Sequence, residues 1–301
     1  MTYLPSPIFY MGNKYKLLKQ LIPLFPDTCE IFLDLFGGSG VVSMNYQGTE
    51  CTIYNEFNTN VIELIKTMVH NDPNDLDRYF KKKISEYNLP VCSVKAKDRL
   101  DGSGYEERKG AFLKLREDYN KGTDRDYKDL FLLSCYSINH LMRFNKNSEF
   151  NAPNGADAYN EKNYKKICDM HEKFKNVMIS HKNCFDINFE MFSENDFIYC
   201  DPPYLNTEAV YNEKRAFGGW EIDDDYKLFS ILEELNRRGV KWGLSNVFHN
   251  RGKSNNHLIE WCEKNNWNVH HLSRNYNPFS KGNSNSDEVY ICNYDNVSRE
   301  T

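Results

Sequence analysis

The sequence predicts an α/β protein with a mixed, mostly parallel sheet, a C-terminal antiparallel hairpin and an inserted, mainly helical lobe. Two buried strands each run into a turn rich in glycine or proline, at residues 31–40 and 197–204. Open α/β sheets bind ligands at such carboxyl-terminal strand ends. The last two apolar runs, 269–276 and 289–294, follow each other without a helix between them, which indicates antiparallel pairing.

The first part of the chain has a glycine-rich loop after a buried strand. Residues 10–14 place a glycine and a lysine before an amphipathic helix, a combination that suits an anion. Residues 31–35 form a strand that enters the glycine loop 36–40, where the backbone can approach a ligand closely. A second strand, 51–54, ends in Asn55-Glu56, and an acid in this place binds ribose hydroxyls. The pattern predicts a nucleoside-containing cofactor, with a plain glycine turn as the alternative.

The α/β alternation stops between residues 72 and 183. Residues 114–120 and 130–142 have helical patterns, and residues 145–163 have the composition of a loop or hairpin. From Arg78 to Phe150 there are 16 Lys or Arg residues against 11 Asp or Glu residues, in a chain of net charge −5. A basic lobe of this kind suits a phosphate-bearing partner, although a charged run is more often a solvated face.

The tetrapeptide Asp201-Pro202-Pro203-Tyr204 follows the buried strand 197–200. Its prolines cannot donate to a sheet ladder, so they end the strand and stiffen the turn. The turn offers a carboxylate, a proline carbonyl and an aromatic face, which together suit a planar base with an exocyclic amino group. The alternative is an ordinary Asx-Pro turn with a packed tyrosine.

After this turn the α/β alternation resumes. Residues 223–238 form a helix with an acidic first turn, 241–247 a strand and 255–265 a further helix. Nine cysteines are scattered without a C-x-x-C pair, which favours reduced thiols over disulfides or zinc. With no apolar run of membrane-spanning length, we expect a cytoplasmic protein.

These segments resemble the Dam-type (class alpha) adenine-N6 DNA methyltransferases, and in particular the Dam enzymes of T-even bacteriophages. The resemblance covers nearly the whole chain and implies the Rossmann-like fold of S-adenosylmethionine-dependent methyltransferases. It implies a catalytic domain over 1–71 and 184–301, and an inserted DNA target-recognition domain over 72–183. The matching segments are Tyr10-x-Gly-Asn-Lys14, Asp34-Leu-Phe-x-Gly38, Asn55-Glu56, residues 112–121, Arg143-x-Asn145, Asp201-Pro-Pro-Tyr-Leu205, Gly243-Leu-Ser-Asn-Val247 and Asp287-Glu-Val-Tyr-Ile291.

The resemblance implies site-specific methylation of adenine N6 in double-stranded DNA, with S-adenosylmethionine as the methyl donor and no metal. The adenine would be flipped out of the duplex. Asp201 and the Pro202 carbonyl would then accept hydrogen bonds from its amino group, with Pro203 stiffening the turn and Tyr204 stacking on the base. Glu56 stands where the phage enzymes have aspartate. The residues expected at the donor are Tyr10, Lys14, Asp34, Phe36, Gly37, Gly38, Ser39, Gly40, Asn55, Glu56, Phe185 and Asp201.

In the recognition domain, Arg143 matches the arginine that reads the guanine before the target adenine. Ala156-Asp157 occupies the place of a second arginine of the family, and an aspartate would accept from cytosine instead of donating to guanine. We therefore expect a short site beginning with GA, either GATC or a variant of it. The residues expected at DNA are Asn139, Leu141, Arg143, Asn145 and Pro153.

Several alternatives stay open at the level of sequence. The same turn occurs in cytosine-N4 DNA and RNA methyltransferases, and in protein-glutamine methyltransferases, which usually carry Asn at the position of Asp201. A non-catalytic DNA-binding relative is a further reading. The expected setting is a bacterial cell or a phage-infected host, with a phage, restriction–modification or epigenetic role, and the expected form is a monomer.

Overall fold

The computed structural model describes residues 2–93, 105–205, 219–250, 252–273 and 286–295. The chain divides into two compact units, the first with residues 1–3, 14–57 and 176–301, the second with residues 4–13 and 58–175. The sequence placed the domain boundaries at 71/72 and 183/184. The compact units differ from this in two respects: residues 4–13 and 58–71 belong to the second unit, and residues 176–183 belong to the first.

An eight-stranded sheet forms the first unit, in the order β3-β2-β1-β4-β5-β8-β7, with β6 paired to β5. The strands β1 to β5 pair in parallel, whereas β8 is antiparallel to both β5 and β7. This confirms the predicted mixed α/β fold and the C-terminal antiparallel pair. The strands are β1 Ile31–Asp34, β2 Cys51–Asn55, β3 Val177–Ser180, β4 Phe197–Cys200, β5 Lys241–Asn250, β6 Lys253–Ser254, β7 Asn268–Leu272 and β8 Ser286–Cys292.

Strand β3 corrects the sequence analysis, which assigned residues 177–180 to the inserted lobe. In the structure this strand pairs in parallel with β2, at one end of the sheet. Its residues are only partly buried and Met178 is 59% exposed. Because an edge strand lacks the continuous apolar run of a central parallel strand, its sequence signal is weak. The predicted strand 269–276 extends into residues 274–276, which lie outside the described residues.

The helices of the inserted lobe differ from the prediction in length and are more numerous. The helix α5 begins at Tyr105 instead of residue 114. The helix α6 ends at Tyr136 instead of residue 142, because the next residue, Ser137, has an extended backbone with φ −78° and ψ 152°. Helices α4 and α7 were not predicted. The helices of the described chain are α1 Leu18–Leu21, α2 Val41–Asn45, α3 Thr59–His70, α4 Pro73–Tyr87, α5 Tyr105–Lys121, α6 Tyr127–Tyr136, α7 Glu161–Lys173, α8 Ile222–Arg237 and α9 Asn256–Asn265.

Two apolar clusters cover the sheet because alternate residues of a strand point to opposite faces. One cluster joins Leu33 and Ile198 to α8 and α9. The other joins Phe32 and Phe197 to the helical segment that contains Leu17, Leu18 and Leu21. The central strands β1 and β4 are therefore buried on both sides, and their carboxyl ends are fixed in position.

We expect the substitution Gly37→Ala to destabilise the first unit. A Cβ at this position would overlap the ring of Tyr54, which is fully buried and donates its hydroxyl to the Gly38 carbonyl at 2.6 Å. Overpacking of this kind costs about 1–3 kcal/mol of unfolding free energy, measurable by urea denaturation. Gly110→Ala in α5 is the matched control, since its Cβ would meet nothing within 4 Å. It should stabilise by about 0.5–1 kcal/mol. An unchanged Gly37→Ala midpoint would contradict the packing described for Tyr54.

Candidate active site

Three N–H groups at the glycine loop after β1 donate hydrogen bonds to residues of the two neighbouring strand ends. Leu35 N–H donates to the Tyr199 carbonyl of β4 at 2.9 Å, and Gly37 N–H donates to the Asn55 carbonyl of β2 at 2.8 Å. Gly38 N–H donates to Oε2 of Glu56 at 2.8 Å. Gly38 and Gly40 have φ angles of 50° and 72°, in the left-handed region that favours glycine. The loop is thus a fixed cradle at the carboxyl edge of the sheet.

Asn55 and Glu56 support the loop from the end of β2. The Asn55 side-chain amide donates to the Leu35 carbonyl at 3.0 Å and to the Lys182 carbonyl at 3.1 Å, and its oxygen accepts from Lys182 N–H. Asn55 therefore links the ends of three strands. Its expected contact with the methyl donor stays a prediction. Glu56 is 7% exposed, so its carboxylate lies in the cradle itself.

Asp34, the last residue of β1, is a buried carboxylate that holds α2. Its Oδ2 accepts the Ser43 hydroxyl at 2.6 Å. Burial, together with the negative charges of Asp201 and Glu56, raises the pKa of Asp34 to about 7, while the hydrogen bond from Ser43 acts in the opposite direction. Because β1 lies between β2 and β4, Asp34, Glu56 and Asp201 all lie at the carboxyl ends of neighbouring strands. The predicted cofactor residues 34–40 and 55–56 are therefore at the same edge of the sheet as the turn 201–204.

The turn after β4 presents Asp201 between a cation and a hydroxyl. Lys14 Nζ donates to Oδ1 and Oδ2 of Asp201 at 2.7 and 2.6 Å. Tyr204 donates its hydroxyl to Oδ1 at 3.0 Å, and the Lys14 ammonium lies 5.0 Å from the Tyr204 ring centroid. The two side chains of the ion pair are 4% and 18% exposed, so the pair is only slightly screened by water. Burial and the charges of Asp201 and Glu288 hold the pKa of Tyr204 well above its usual range, which keeps the phenol neutral.

Aromatic rings lie at the same edge of the sheet. Phe36 follows β1, and Phe185 lies in the short 3₁₀ turn Cys184–Asp186, whose first N–H groups are capped by Asn183. The ring of Trp220 lies 5.5 Å from the Phe36 ring and 5.8 Å from the Phe185 ring, between ring centroids. Both phenylalanines are partly buried against the core cluster of α8 and α9. The site thus combines acids, one lysine and a planar apolar surface.

The second unit carries the predicted DNA contacts on a hairpin. An antiparallel bridge joins Phe144 and Phe150, and Arg143 lies at its base. Arg143 donates from Nε to Asn151 Oδ1 and from Nη2 to the Asn151 carbonyl, each at 2.8 Å. Asn145 accepts at its side-chain oxygen from Asn147 N–H and Glu149 N–H, which closes the tip. Arg143 is exposed although its guanidinium is oriented, an arrangement that suits a fork for a base edge.

The loop after α6 brings the remaining predicted DNA residues together. Asn139 is exposed with φ 51°, Leu141 is half-buried, and the exposed Pro153 accepts Ile138 N–H at its carbonyl. Asp157 Oδ2 lies 3.5 Å from His140 Nε2. Tyr10, which was expected at the methyl donor, also belongs to this unit. It is half-buried, and its carbonyl accepts a hydrogen bond from Asn13 N–H at 3.3 Å.

Sequence reasoning missed several residues that shape the site. Tyr54 donates to the loop, Ser43 donates to Asp34, and Trp220 contacts the two phenylalanine rings of the site. A tyrosine at the end of a buried strand and a serine in the first turn of a helix are weak signals, because both are common in cores and at caps. Contacts between side chains that are far apart in the sequence leave no local sequence pattern.

Two absences hold for the described part of the chain. There, no group of three or more His, Cys, Asp or Glu side chains is placed to hold a metal ion. In the same residues, no helix combines the length and apolar character needed to cross a membrane.

Comparison with known proteins gives consistent matches. The chain is 36% identical over 307 residues to the Type II methyltransferase M.FokI of Planomicrobium okeanokoites, with 99% of this chain and 44% of that protein covered. It is 34% identical over 300 residues to the modification methylase StsI of Streptococcus sanguinis, with 97% and 43% covered. A DNA adenine methylase of Vibrio cholerae is 25% identical over 248 residues, with 79% of each chain covered.

The chain therefore spans less than half the length of the first two relatives. The particular likeness to T-even phage enzymes stays a prediction. The family model that matches is described as D12 class N6 adenine-specific DNA methyltransferase, and it covers residues 10–277. With this match and the two relatives above 30% identity, the chain belongs to the D12 class of N6 adenine-specific DNA methyltransferases.

Proposed function

We propose that this chain is a site-specific DNA adenine-N6 methyltransferase that uses S-adenosylmethionine as methyl donor. The observation that carries the proposal is the Asp201 carboxylate at the end of β4, oriented by Lys14 and Tyr204 and electrostatically linked to Asp34 of the neighbouring strand. A catalytic turn and a cofactor cradle on adjacent strand ends are what a transfer between a nucleoside donor and a base requires.

The residues of the cradle fit S-adenosylmethionine by their chemistry. The Glu56 carboxylate suits ribose hydroxyls, and the buried acid Asp34 suits a positively charged group. Phe36 and Phe185 offer apolar ring surface for a nucleoside, and Lys14 offers an ammonium for a carboxylate. When bound, the donor supplies a methyl group made electrophilic by a positively charged sulfur.

The acceptor chemistry rests on Asp201, Pro202 and Tyr204. The amino nitrogen of adenine is a poor nucleophile because its lone pair is delocalised into the ring. Hydrogen bonds from the amino group to the Asp201 carboxylate and the Pro202 carbonyl would favour a tetrahedral nitrogen with an available lone pair. Tyr204 would hold the extruded base by stacking, worth about 1–3 kcal/mol.

Lys14 has two places to act in this scheme. In the structure its ammonium bonds both oxygens of Asp201, so the carboxylate is fixed in orientation before a base arrives. An adenine amino group needs one of these oxygens. We infer that, when S-adenosylmethionine and adenine bind, the Lys14 ammonium breaks at least one hydrogen bond to Asp201 and donates to the carboxylate of S-adenosylmethionine instead. Binding of the methyl donor would then free an Asp201 oxygen to accept a hydrogen bond from the adenine amino group.

Recognition of the DNA sequence is assigned to the second unit. The oriented, exposed guanidinium of Arg143 supports reading of a guanine by two parallel hydrogen bonds. Ala156-Asp157 stands in the place of the family's second arginine, and a carboxylate accepts hydrogen bonds instead of donating them. This supports a site that begins with GA and need not be GATC. The relatives named modification methylase and Type II methyltransferase support a role in restriction–modification.

The substitution Asp201→Asn should lower the rate of methyl transfer by about 10²- to 10³-fold, as expected when one charge-stabilising partner is removed. Binding of S-adenosylmethionine should change only a few-fold. The measurement is single-turnover transfer of labelled methyl to unmethylated duplex DNA. The exposed Glu190→Gln serves as the control of equal charge change and should keep full activity. Full activity of Asp201→Asn would exclude the proposed catalytic role.

Affinity for S-adenosylmethionine should rise with pH through about 7, the pKa of Asp34 in the free protein. The ionised carboxylate attracts the cationic donor and the protonated one does not, so affinity falls below pH 7 by up to about tenfold per pH unit. Ser43→Ala should move the midpoint upward, because the Ser43 hydroxyl stabilises the carboxylate. Asp34→Asn should flatten the profile between pH 5.5 and 8.5, roughly one and a half units either side of that midpoint, in titration calorimetry. An identical slope in Asp34→Asn would contradict this assignment.

The substitution Arg143→Ala should relax the sequence preference at the guanine before the target adenine. One lost bidentate pair costs about 1–3 kcal/mol of discrimination, measured by methylation of duplexes with each base at that position. Arg125→Ala removes the same charge from a side chain that contacts this hairpin, since Arg125 donates to the Ser148 carbonyl. It should weaken binding to all sequences equally. Equal preferences for the two variants would show that Arg143 reads no base.

A further inference from the structure

Trp220 contacts both Phe36 and Phe185, the two phenylalanine rings proposed to lie at the methyl donor. Its ring meets Phe36 edge-on, with the planes at 81°, and lies nearly parallel to Phe185, with the planes at 19°. Phe36 follows β1 and Phe185 follows β3, so the two rings come from distant strands of the sheet. Trp220 lies just before α8 and is 7% exposed. One buried indole thus fixes the spacing of two partly buried rings.

A buried pair of hydrogen-bonded side chains, Asp225 and His257, in turn anchors Trp220. The indole Nε1–H donates to Asp225 Oδ1 at 2.7 Å, and Asp225 Oδ2 bonds His257 Nε2, also at 2.7 Å. Asp225 is 1% exposed, and the His257 ring stacks on Phe229. A buried indole N–H needs an acceptor, for which a carbonyl would suffice. A carboxylate gives a stronger and more directional bond, but its burial is costly unless it is paired.

We propose that Trp220 is a positioning residue of the methyl-donor site, fixed by Asp225 and His257 and acting through Phe36 and Phe185. This rests on the proposed function, which places those two rings at S-adenosylmethionine. Rings held in their bound arrangement lower the ordering cost of binding. Trp220 therefore sets affinity for the donor through Phe36 and Phe185.

The first test is donor affinity, by titration calorimetry with S-adenosylmethionine and S-adenosylhomocysteine on the whole chain. Trp220→Leu should raise the dissociation constant by roughly 2- to 12-fold, the range expected for one lost aromatic pair. The KM for DNA and the kcat at saturating donor should stay within about twofold, since neither depends on the uniform binding of donor. Trp267→Leu is the matched control, since Trp267 packs on the same core cluster. It should lower the melting temperature and leave donor affinity unchanged.

The second test concerns the anchor and applies even if Trp220→Leu does not fold. Asp225→Asn keeps an acceptor for the indole N–H and should keep near-normal donor affinity, whereas Asp225→Leu should weaken it as Trp220→Leu does. In a Phe185→Leu background the effect of Asp225→Leu on affinity should shrink, because the ring through which it acts is missing.

The outcomes separate this inference from the proposed function. Unchanged donor affinity in Trp220→Leu and Asp225→Leu, with a folded protein that binds donor normally, would overturn the positioning role. Fully additive effects with Phe185→Leu would also overturn it. A wild-type chain that binds neither S-adenosylmethionine nor S-adenosylhomocysteine would instead refute the proposed function.

Discussion

Negative charge concentrated at the ends of β1, β2 and β4 is the constraint on which the rest of the site depends. Asp34, Glu56 and Asp201 lie at the ends of adjacent strands. The charges of Glu56 and Asp201 raise the pKa of Asp34, and Asp201 itself is paired with Lys14. Lys14 compensates one of these charges by bonding both oxygens of Asp201. A cationic ligand would compensate another, so the charges at this edge of the sheet favour a positively charged ligand such as the proposed methyl donor.

Central strands provide the rigidity that this charge arrangement needs. Both faces of β1 and β4 are covered by apolar clusters, so their carboxyl ends have little freedom. Tyr54 then fixes the loop between them through the Gly38 carbonyl. The residues proposed to read the DNA sequence lie in the other compact unit, in a hairpin whose Arg143 is oriented by Asn151.

Features with a local signal could be predicted from the sequence. The strands β1 and β4 are continuous apolar runs that end in glycine or proline, and the terminal hairpin lacks a helix between its strands. The edge strand β3 lacks such a run and was missed, as were α4 and α7, whose capping residues Asp72 and Asn160 are common in loops too. Contacts between distant parts of the sequence could not be predicted. Trp220 and His257, for example, both bond Asp225, and no sequence periodicity connects residues so far apart.

The most direct test of the central claim is sequencing, with detection of modified bases, of methylation-free duplex DNA incubated with the chain and S-adenosylmethionine. We predict N6-methyladenine confined to one short motif that begins with GA, with the mark on the adenine. GATC as that motif would be compatible with the catalytic assignment and would require a reader other than Asp157 for the second half. Modification of cytosine, or no modification by a chain that binds donor, would contradict the account.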